Sequence, residues 1–468
     1  MANTATQIAF AVRLSTVLRS NLRLNAAYYS TEVYRALRLL EESGYPSEKL
    51  GSIVEDVFLL PRIKRTFVES EELGWPYLAP TDLVMFRPMR HRFVLRDVKN
   101  HERFFVKEGW LLITRSGTIG RVIYATKRLE RYFITDDVIR VVCGPSGKVL
   151  PGYLCAYLTS WVGNTLLTKD EYGMTVRHIE PEHVREIPIP ILPSDVQREI
   201  HEMIVRAWEM RDEAIELEDE AIRLVEEKVI GAQRPKSAQT VFTIRARQIL
   251  QRGDYRLDAG CYCGDVTLAL KAIEECGHPL KKLGDPLVTQ TVFHLPRFDR
   301  TFVDDERLGW PYLAPMDIVM YRPLRRRFIL RDVKNPERFF VKEGWLLITC
   351  SGSVGRVVYA TKSLERYFIT HDIIRVVCRE DGLVLPGYLY AYLWSWAGNA
   401  LLTRDEYGMT VRHIEPEHVR EIPVPIPPKD VQQKIHGLVV EAWRLREQAN
   451  ELEDKAVKLL LDELYNRT

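Results

Sequence analysis

The sequence predicts an α+β protein with two mixed α/β globular domains separated by an antiparallel two-helix coiled coil and related by an internal pseudo-twofold repeat. Two observations lead to this prediction. Residues 61–192 align without a gap to residues 296–427, and most of the aligned positions are identical. Each copy ends in a long segment with apolar residues at alternating steps of three and four, which is typical of a helix that packs on another helix.

The repeat divides the chain into two units of similar organisation. The clearest repeated blocks are LGWPYLAP (73–80 and 308–315), ERFFVKEGWLLIT (102–114 and 337–349) and EYGMTVRHIEPEHVREIP (171–188 and 406–423). The polar, proline-containing stretch GAQRPKSAQT (231–240) lies between the units. We therefore expect a globular domain at 1–192, a spacer helix at 193–232, a second globular domain at 233–427 and a second spacer helix at 428–468.

Within each globular domain the pattern changes from strand-like to helical. In the first copy, short β-rich runs such as FVLRDV, WLLIT, RVIYAT and VIRVVC alternate with turns. The apolar stretch PGYLCAYLTSWVGNTLL (151–167) predicts one helix. The segment EIPIPIL (186–192) is expected to be extended, because Pro188 and Pro190 are incompatible with a helix interior.

A long helix follows each globular domain. Ser194 and Gln197 have the spacing of a capping box at the start of the first helix. The residues expected in the seam between the helices are Ile200, Met203, Ala207, Met210, Ala214, Leu217, Ala221 and Leu224, and then Ile435, Leu438, Ala442, Leu445, Ala449, Leu452, Ala456 and Leu459. A pair of helices of about 30 residues gives a rod of about 45 Å that holds the globular domains apart. The alternatives are that each helix packs on its own domain or on another protein.

Composition restricts the class of protein. Apolar residues make up 46% of the chain and charged residues 28%, which is typical of a globular protein. No apolar run reaches the roughly 20 residues of a membrane helix, and the first residues lack the pattern of a secretion signal. The cysteines show no zinc-ligand spacing, so we expect reduced thiols and a cytoplasmic protein.

The net charge of +2 conceals an uneven distribution. Lys and Arg outnumber Asp and Glu in residues 61–192, whereas Asp and Glu predominate in residues 193–233. Contacts with DNA phosphates depend on local charge and not on the sum over the chain. The composition is therefore compatible with nucleic-acid binding by the globular domains.

Three duplicated blocks resemble those of a known family. They are GWLLITRSGTIGR (109–121), GYLCAYLTS (152–160) and EYGMTVRHIEPEHVREIPIPILPSDVQREI (171–200), the last of which runs directly into the long helix. In this order the chain resembles the DNA specificity subunits of type I restriction-modification systems. The resemblance implies that each globular domain is a target-recognition domain, which reads one half of a split site in double-stranded DNA, and that the paired helices set the gap.

The resemblance also implies the partners. Two methyltransferase subunits would carry S-adenosylmethionine and methylate adenine, with or without additional restriction and translocase subunits. The chain itself would hold no cofactor or metal and would not be an enzyme. The sequence lacks the Asp/Asn-Pro-Pro-Tyr/Phe tetrapeptide of adenine methyltransferases, and it lacks Walker and HExxH motifs.

Two other classes of function remain open from the sequence. A nuclease with an unfamiliar active site would cleave DNA as the pure chain. A coiled-coil scaffold of another phage-defence complex would bind proteins through its globular heads and would show no affinity for DNA. His178 and His183 flank two glutamates, but Pro181 between them is expected to prevent a helical metal site.

The densest basic stretch, FRPMRHRFVLRDVK (86–99), and its second copy supply the first DNA-contact candidates. These are Arg87, Arg90, Arg92 and Arg96 in the first domain and Arg322, Arg325, Arg327 and Arg331 in the second. Arginine contacts both phosphates and guanine edges, which favours this interpretation. The alternative is a solvated face on which Asp97 and Glu102 pair with part of the cluster.

A glycine-containing loop, RSGTIGR (115–121), supplies the second set. The candidates are Arg115, Thr118 and Arg121 in the first copy and Ser353 and Arg356 in the second. Its glycines allow a close approach to DNA, but a hairpin turn with structural glycines fits equally well. The segment YGMTVR (172–177), repeated at 407–412, is interpreted first as packing between domain and helix and only second as a DNA contact.

The similarity of the two units predicts a palindromic or nearly palindromic split site, with related half-sites on opposite strands. The two half-sites are expected to differ where the two copies differ, for example where the second copy has Cys350 at the position of Arg115. Loss of an arginine contact with guanine costs about 1–3 kcal/mol of discrimination. Sequencing of methylated sites tests this expectation, and two unrelated half-sites would contradict it.

Overall fold

The structure of the chain is a computed structural model that describes residues 30–68, 70–88, 92–144, 147–171, 178–231, 243–252, 256–323 and 327–466. These residues form an α+β structure with two sheet-rich domains and long helices, as the sequence predicts.

The first unit contains seven α-helices and ten strands among its described residues. Its helices are α1 (Thr31–Glu42), α2 (Leu50–Ile53), α3 (Pro80–Val84), α4 (Pro151–Thr159), α5 (Trp161–Thr168), α6 (Pro181–Arg185) and α7 (Ser194–Leu224), which continues as a π-helical turn (Val225–Ile230). Its strands are β1 (Ser47–Lys49), β2 (Asp56–Phe58), β3 (Phe67–Val68), β4 (Gly74–Leu78), β5 (Arg92–Leu95), β6 (Leu111–Thr114), β7 (Val122–Tyr124), β8 (Phe133–Ile134), β9 (Val138–Val142) and β10 (Pro188–Pro190).

The second unit repeats this order. Its helices are α8 (Ala246–Arg252), α9 (Gly264–Glu274), α10 (Pro386–Trp394), α11 (Trp396–Thr403), α12 (Pro416–Arg420) and α13 (Lys429–Tyr465). Its strands are β11 (Leu280–Lys282), β12 (Thr289–Phe293), β13 (Phe302–Val303), β14 (Gly309–Leu313), β15 (Phe328–Leu330), β16 (Leu346–Thr349), β17 (Val357–Tyr359), β18 (Phe368–Ile369), β19 (Ile373–Cys378) and β20 (Pro423–Pro425).

Each globular domain contains two four-stranded sheets. The inner sheet has the strand order β2-β9-β6-β7 in the first domain and β12-β19-β16-β17 in the second. The outer sheet has the order β3-β5-β4-β8, repeated as β13-β15-β14-β18. The last pair of each outer sheet is parallel, and the other pairs are antiparallel. The inner sheet lies against the helices, whereas the outer sheet has a small core of its own.

The inner sheet and α4 form the main core of the first domain. Every residue of β6 is buried, and α4 is buried along almost its whole length. The hydroxyls of Tyr153 and Tyr157 donate to the carbonyls of Pro190 and Pro188 at 2.5 and 2.7 Å. These bonds attach β10, the extended segment predicted from its prolines, to the core.

The segment 151–167, expected to form one helix, forms two. Helix α4 ends before Ser160, whose backbone is extended (ψ 160°) and whose hydroxyl accepts from the N–H of Gly163. Ser160 is therefore the N-cap of α5, and the chain turns there. A Cβ at Gly163 would lie 2.0 Å from the carbonyl oxygen of Tyr157, so the turn requires glycine.

Helix α7 begins directly after Pro193, but the expected capping box is wrong, because no side chain caps its first turn. The Gln197 side chain instead accepts from the N–H of Leu150 at 3.2 Å and donates to the carbonyl of Leu192 at 2.9 Å. The second unit makes the same contacts. Each long helix is thereby attached to the globular domain that precedes it.

The two long helices make their own apolar contact at their centres. The residues of this contact are Ala207, Met210, Ala214, Ala442, Leu445 and Ala449, all from the seam that the sequence predicts. Towards the ends, seam residues join the globular cores: Ile200 and Ala456 in the first domain, and Ala221 and Ile435 in the second. Pairing of the helices and packing on the domains, which the sequence leaves as alternatives, both occur.

Two buried ion pairs cross between the helices. Arg211 of α7 pairs with Glu453 of α13, and Arg446 of α13 donates to Glu218 of α7 at 2.6 and 2.7 Å. Residue numbers rise along one helix as the partner numbers fall along the other, so the helices run antiparallel. All four side chains are almost inaccessible to solvent. The heptad pattern of apolar residues did not predict that these four charged residues lie between the helices.

The expected separation of the two globular domains is incomplete, because they touch. An isolated antiparallel bridge pairs Met85 with Met320, and a backbone hydrogen bond of 3.1 Å lies on each side of it. We refer to residues 84–87 and 319–322 as the interdomain clasp. Each segment carries one aromatic side chain that packs on apolar residues beyond its own domain. This residue is Phe86 in the first segment and Tyr321 in the second.

Replacement of Glu453 by Gln is expected to destabilise the fold. The substitution leaves Arg211 and Arg322 without their shared carboxylate in a buried site, which costs about 3–5 kcal/mol. Burial acts to raise the pKa of Glu453, but the two arginines outweigh it and hold the pKa at about 2. A depressed pKa stabilises the fold above the unfolded pKa, and this contribution is lost as the pH falls towards 2.

Denaturant unfolding of the two proteins at pH 7 and at a series of acidic pH values measures this effect. The difference in unfolding free energy should be largest at neutral pH and should narrow once the pH falls below the ordinary glutamate pKa of about 4.3. Glu451→Gln, at an exposed position on the same helix, is the control and should change little. A difference that stays constant in acid would contradict the expected role of Glu453.

Candidate nucleic-acid interface

Each outer sheet presents an exposed aromatic residue with an arginine above it. Phe67 on edge strand β3 is 47% exposed, and the guanidinium of Arg92 lies 6.0 Å from its ring centre. In the second domain Phe302 is 44% exposed, with Arg327 at 5.6 Å. Both arginines are exposed. The two domains therefore present a cation and an aromatic face to solvent at equivalent places.

A cleft of about 490 Å³ opens beside Phe67 in the first domain. The residues that line it are Ile63, Arg65, Phe67, Tyr77, Ala79, Pro80, Arg92, Thr135 and Asp137. Arg65 donates to the Tyr77 hydroxyl at 2.6 Å and to Thr135 Oγ1 at 3.3 Å, and it lies 3.6 Å from Asp136. Donors and acceptors in an open cleft with an apolar wall are suited to contact with a base edge.

The second domain carries different charges at the equivalent place. Arg300 donates to Asp372 at 2.9 Å and lies 3.4 Å from Nε2 of His371, the residue at the position of Asp136. Burial lowers the pKa of His371, although the neighbouring Asp372 acts in the opposite direction. The ring of His371 also packs edge-on against Phe298. The two domains thus differ in the hydrogen-bonding groups near the cleft.

The glycine loop of the first domain is bound to its own domain. Arg115 pairs with Asp137 at 3.2 Å and with Glu180 at 2.6 Å, and the hydrogen bond that Arg115 donates to Glu180 raises the pKa of Arg115. Thr118 is buried. Arg115 therefore positions Asp137, an acceptor in the cleft lining. In the second domain Cys350 takes the place of this arginine and is buried.

The conformation of the loop depends on its glycines. Gly120 has a φ of 77° and approaches α5 so closely that a Cβ would lie 2.6 Å from the methyl group of Thr168. This favours the hairpin-turn interpretation for Gly120. Ser353, in the second copy of the loop, is exposed.

Arg87 and Arg322, predicted as DNA contacts, face the long helices. Arg87 donates to Asp219 of α7 at 2.5 Å, and only 11% of its side chain is exposed. Arg322 donates at 3.0 Å both to Glu453 and to Asp454 of α13. Both guanidinium groups form ion pairs with carboxylates of the long helices. Arg87 and Arg322 therefore do not face outward towards a DNA duplex.

Arg121 and Arg356, the second pair of glycine-loop arginines, lie between the two domains. Arg121 donates to the carbonyl of Pro323 in the second domain, and Arg356 contacts the sulfur of Met85 in the first. Burial lowers the pKa of both guanidinium groups, although nearby carboxylates act in the opposite direction. Their positions favour a structural role in the contact between domains.

Arg96 and Arg331 are exposed, but each is also attached to the outer sheet. Arg96 donates to the carbonyls of Glu71 and Gly74 at 3.1 and 3.3 Å. Arg331 makes the equivalent bond to Gly309 at 3.3 Å. Arg90 and Arg325 lie outside the described residues, between these arginines and the clasp.

The segment 407–412 is exposed, in contrast to the interpretation that it packs between domain and helix. It forms a turn closed by backbone bonds between Tyr407 and His413, with the Met409 side chain fully exposed. The Tyr407 hydroxyl donates to Glu415 at 2.5 Å, and the N–H of Gly352 donates to the carbonyl of Arg412 at 2.9 Å. The turn therefore lies beside the glycine loop. Its first copy, 172–177, lies outside the described residues.

The part of the chain that the structure describes contains no group of three or more His, Cys, Asp or Glu side chains placed to hold a metal ion. None of its helices is long and apolar enough to cross a membrane. The Nδ1 atom of His183 accepts from the N–H of Glu180 at 3.2 Å and so stabilises the start of α6.

Comparison with known protein families gives a match within the second unit. Residues 326–437 match the family model of the type I restriction modification DNA specificity domain. The match extends from the start of β15 into α13, and it confirms the resemblance found in the sequence. Residues 326–437 of this chain are therefore similar to a DNA specificity domain. No curated protein sequence matches the chain significantly.

Solved structures of similar proteins were also found. The S subunit of a type I restriction-modification system from M. genitalium matches with 13% identity and a TM-score of 0.33, over 90% of this chain and 94% of that chain. The HsdS subunit from Thermoanaerobacter tengcongensis matches with 14% identity and a TM-score of 0.28, over 91% and 97%. These TM-scores are too low to establish a shared fold.

Replacement of both Arg92 and Arg327 by Ala is expected to weaken DNA binding without destabilising the fold. Both side chains are exposed on the outer sheets, so loss of each removes one cation from the proposed contact. If each contacts one phosphate, the slope of log K against log salt should become shallower by about 2. Fluorescence anisotropy with duplex DNA at several salt concentrations measures the slope.

The control is Arg444→Ala, because Arg444 is also exposed but lies on α13 beside Glu441. This variant should keep the slope of the unchanged protein. A third variant, Arg87→Ala, should lower thermal stability instead, because it removes the arginine that pairs with Asp219 and leaves the buried Glu218 with Arg446 as its arginine partner. An unchanged slope in the Arg92 and Arg327 variant would exclude the outer sheets as the phosphate-binding surface.

Proposed function

We propose that the chain is the DNA specificity component of a restriction-modification or related defence system, and that its two globular domains read the two halves of one split double-stranded site. The observation that carries the proposal is the duplication of one surface. The same outer sheet, with its arginine over an exposed ring, occurs in both domains, and one of the two units matches the DNA specificity domain.

The outer sheet supplies both kinds of contact that sequence reading requires. Arg92 and Arg327 are suited to phosphates, which position a protein on the duplex but carry no sequence information. The cleft beside them contains Arg65, Thr135 and Asp137, whose donors and acceptors can discriminate between base edges. The exposed turn at 407–412, beside the glycine loop, is a second element of the second domain that we propose for contact with DNA.

The paired helices support the split arrangement. We propose that α7 and α13 form an antiparallel coiled coil and that the two units are related by a pseudo-twofold axis through its centre. The contacts of Arg211 with Glu453 and of Arg446 with Glu218 are equivalent under such an axis. Domains related in this way read similar sequences on opposite strands, so the site is nearly palindromic.

Catalysis is assigned to partner proteins. We propose that two methyltransferase subunits carry S-adenosylmethionine and methylate adenine at the site that this chain selects, and that restriction and translocase subunits join in systems that also cleave DNA. The chain holds no cofactor in this scheme. The description of the matched domain, which refers to restriction and modification, supports this assignment.

A long-read methylome of the source organism, with and without the gene, tests the proposed function. Deletion should abolish methylation at one split adenine motif, because the methyltransferase no longer reaches its site. A plasmid copy of the gene should restore the motif, and a copy with Arg92→Ala and Arg327→Ala should restore less of it. A methylome that is the same in both strains would overturn the proposal, and the scaffold function would then be the one to test.

A further inference from the structure

Each globular domain contributes one aromatic side chain to the core of the other. Phe86 of the first domain is buried, with its ring centre 5.0 Å from Trp443 and 6.5 Å from Trp394, and it belongs to the apolar core of the second domain. Tyr321 of the second domain packs on Trp208 at 5.6 Å, against the core of the first. The contact is therefore reciprocal.

Buried charges reinforce the same contact. Glu218 of α7 accepts from Arg446 of α13 and from the Tyr390 hydroxyl of the second domain, both at 2.6 Å, and it lies 3.7 Å from Arg87 of the first domain. A single carboxylate thus joins both helices and both domains. Its counterpart Glu453 of α13 accepts from Arg211 of α7 and from Arg322 of the second domain.

The arginines of the helix pair also lie directly under the clasp. The Arg446 guanidinium is 4.9 Å from the ring centre of Phe86, and the Arg211 guanidinium is 5.1 Å from that of Tyr321. Asn450 of α13 donates to the backbone carbonyl of Tyr321 at 3.2 Å. The clasp is therefore fixed to the centre of the helix pair as well as to the opposite domain.

We infer that the interdomain clasp stays closed on DNA and sets the distance between the two half-sites, a role that rests on the proposed function. The helix pair alone holds each domain near one end, about which the domain can rotate. The clasp adds a second attachment at the centre and removes that freedom. Because successive base pairs are about 3.4 Å apart, a small rotation would change the gap that the protein accepts. Phe86 and Tyr321 are positioning residues that need not touch a base.

The first test removes the clasp and measures the tolerated gap. The complex of the chain with its methyltransferase is assayed on duplexes that carry the two half-sites of the motif at the native gap and at gaps one and two base pairs shorter or longer. The unchanged complex should methylate the native gap far better than the others. In a chain with Phe86→Ala and Tyr321→Ala, this preference should fall by at least about tenfold. Tyr321→Phe keeps the ring and should keep the preference.

The second test locks the clasp. Met85 and Met320 form a pair between two backbone hydrogen bonds, a position whose Cα atoms are close enough for a disulfide. A chain with Met85→Cys and Met320→Cys should, when oxidised, methylate the native gap within about twofold of its reduced form. Met85→Cys alone, oxidised in the same way, controls for the native thiols.

The outcomes separate this inference from the proposed function. If the unchanged complex shows no split motif, the proposed function fails. If it shows a split motif, the preference for the native gap is calculated within each variant as the ratio of its methylation rates at the native and altered gaps. A lower overall methylation rate then does not change this ratio. An unchanged preference in the alanine variant would overturn the role of the clasp. Loss of methylation on oxidation of the double cysteine variant, with recovery on reduction, would also overturn it, because the clasp would then have to open on DNA.

Discussion

Arg211 and Arg446 are buried at the centre of the two long helices, where each finds its carboxylate only on the opposite helix. A charge in such a place is tolerated only when it is paired, so the two pairs fix the register and the antiparallel direction together. The small residues of the seam allow the helices to approach closely but specify little else. The placement of both domains depends on this one arrangement, since each domain packs on one end of the pair.

The same carboxylates explain why the basic stretch of each outer sheet has two roles. Arg87 and Arg322 are drawn towards the acidic helices, whereas Arg92 and Arg327 follow a few residues later and face solvent. The local excess of acidic residues on the long helices therefore serves in part as the surface on which the globular domains pack. Of these four arginines, Arg92 and Arg327 are the two whose side chains are exposed.

The two units are similar but not interchangeable. Phe86 lies against Trp394, while the position of Trp394 in the first unit is Thr159 and the position of Phe86 in the second is Tyr321. The larger residue, Trp394, thus faces Phe86, the aromatic residue that has no hydroxyl group. His371 occupies the position of Asp136, beside the cleft of the first domain, and Cys350 that of Arg115. The two units thus have the same order of strands, whereas the side chains near the proposed half-sites differ.

The sequence by itself determined the α+β class, the internal repeat and the residues of the central seam, because a repeated sequence and a heptad period can be read directly along the chain. It also located both outer-sheet arginines, although it could not distinguish them from Arg87 and Arg322, since one basic stretch contains both kinds. Only the tertiary structure decided that Glu218 and Glu453 are buried and that Phe86 enters the opposite domain. Those contacts join residues more than a hundred positions apart. The spacing of residues along the sequence does not indicate which distant surface packs against a given side chain.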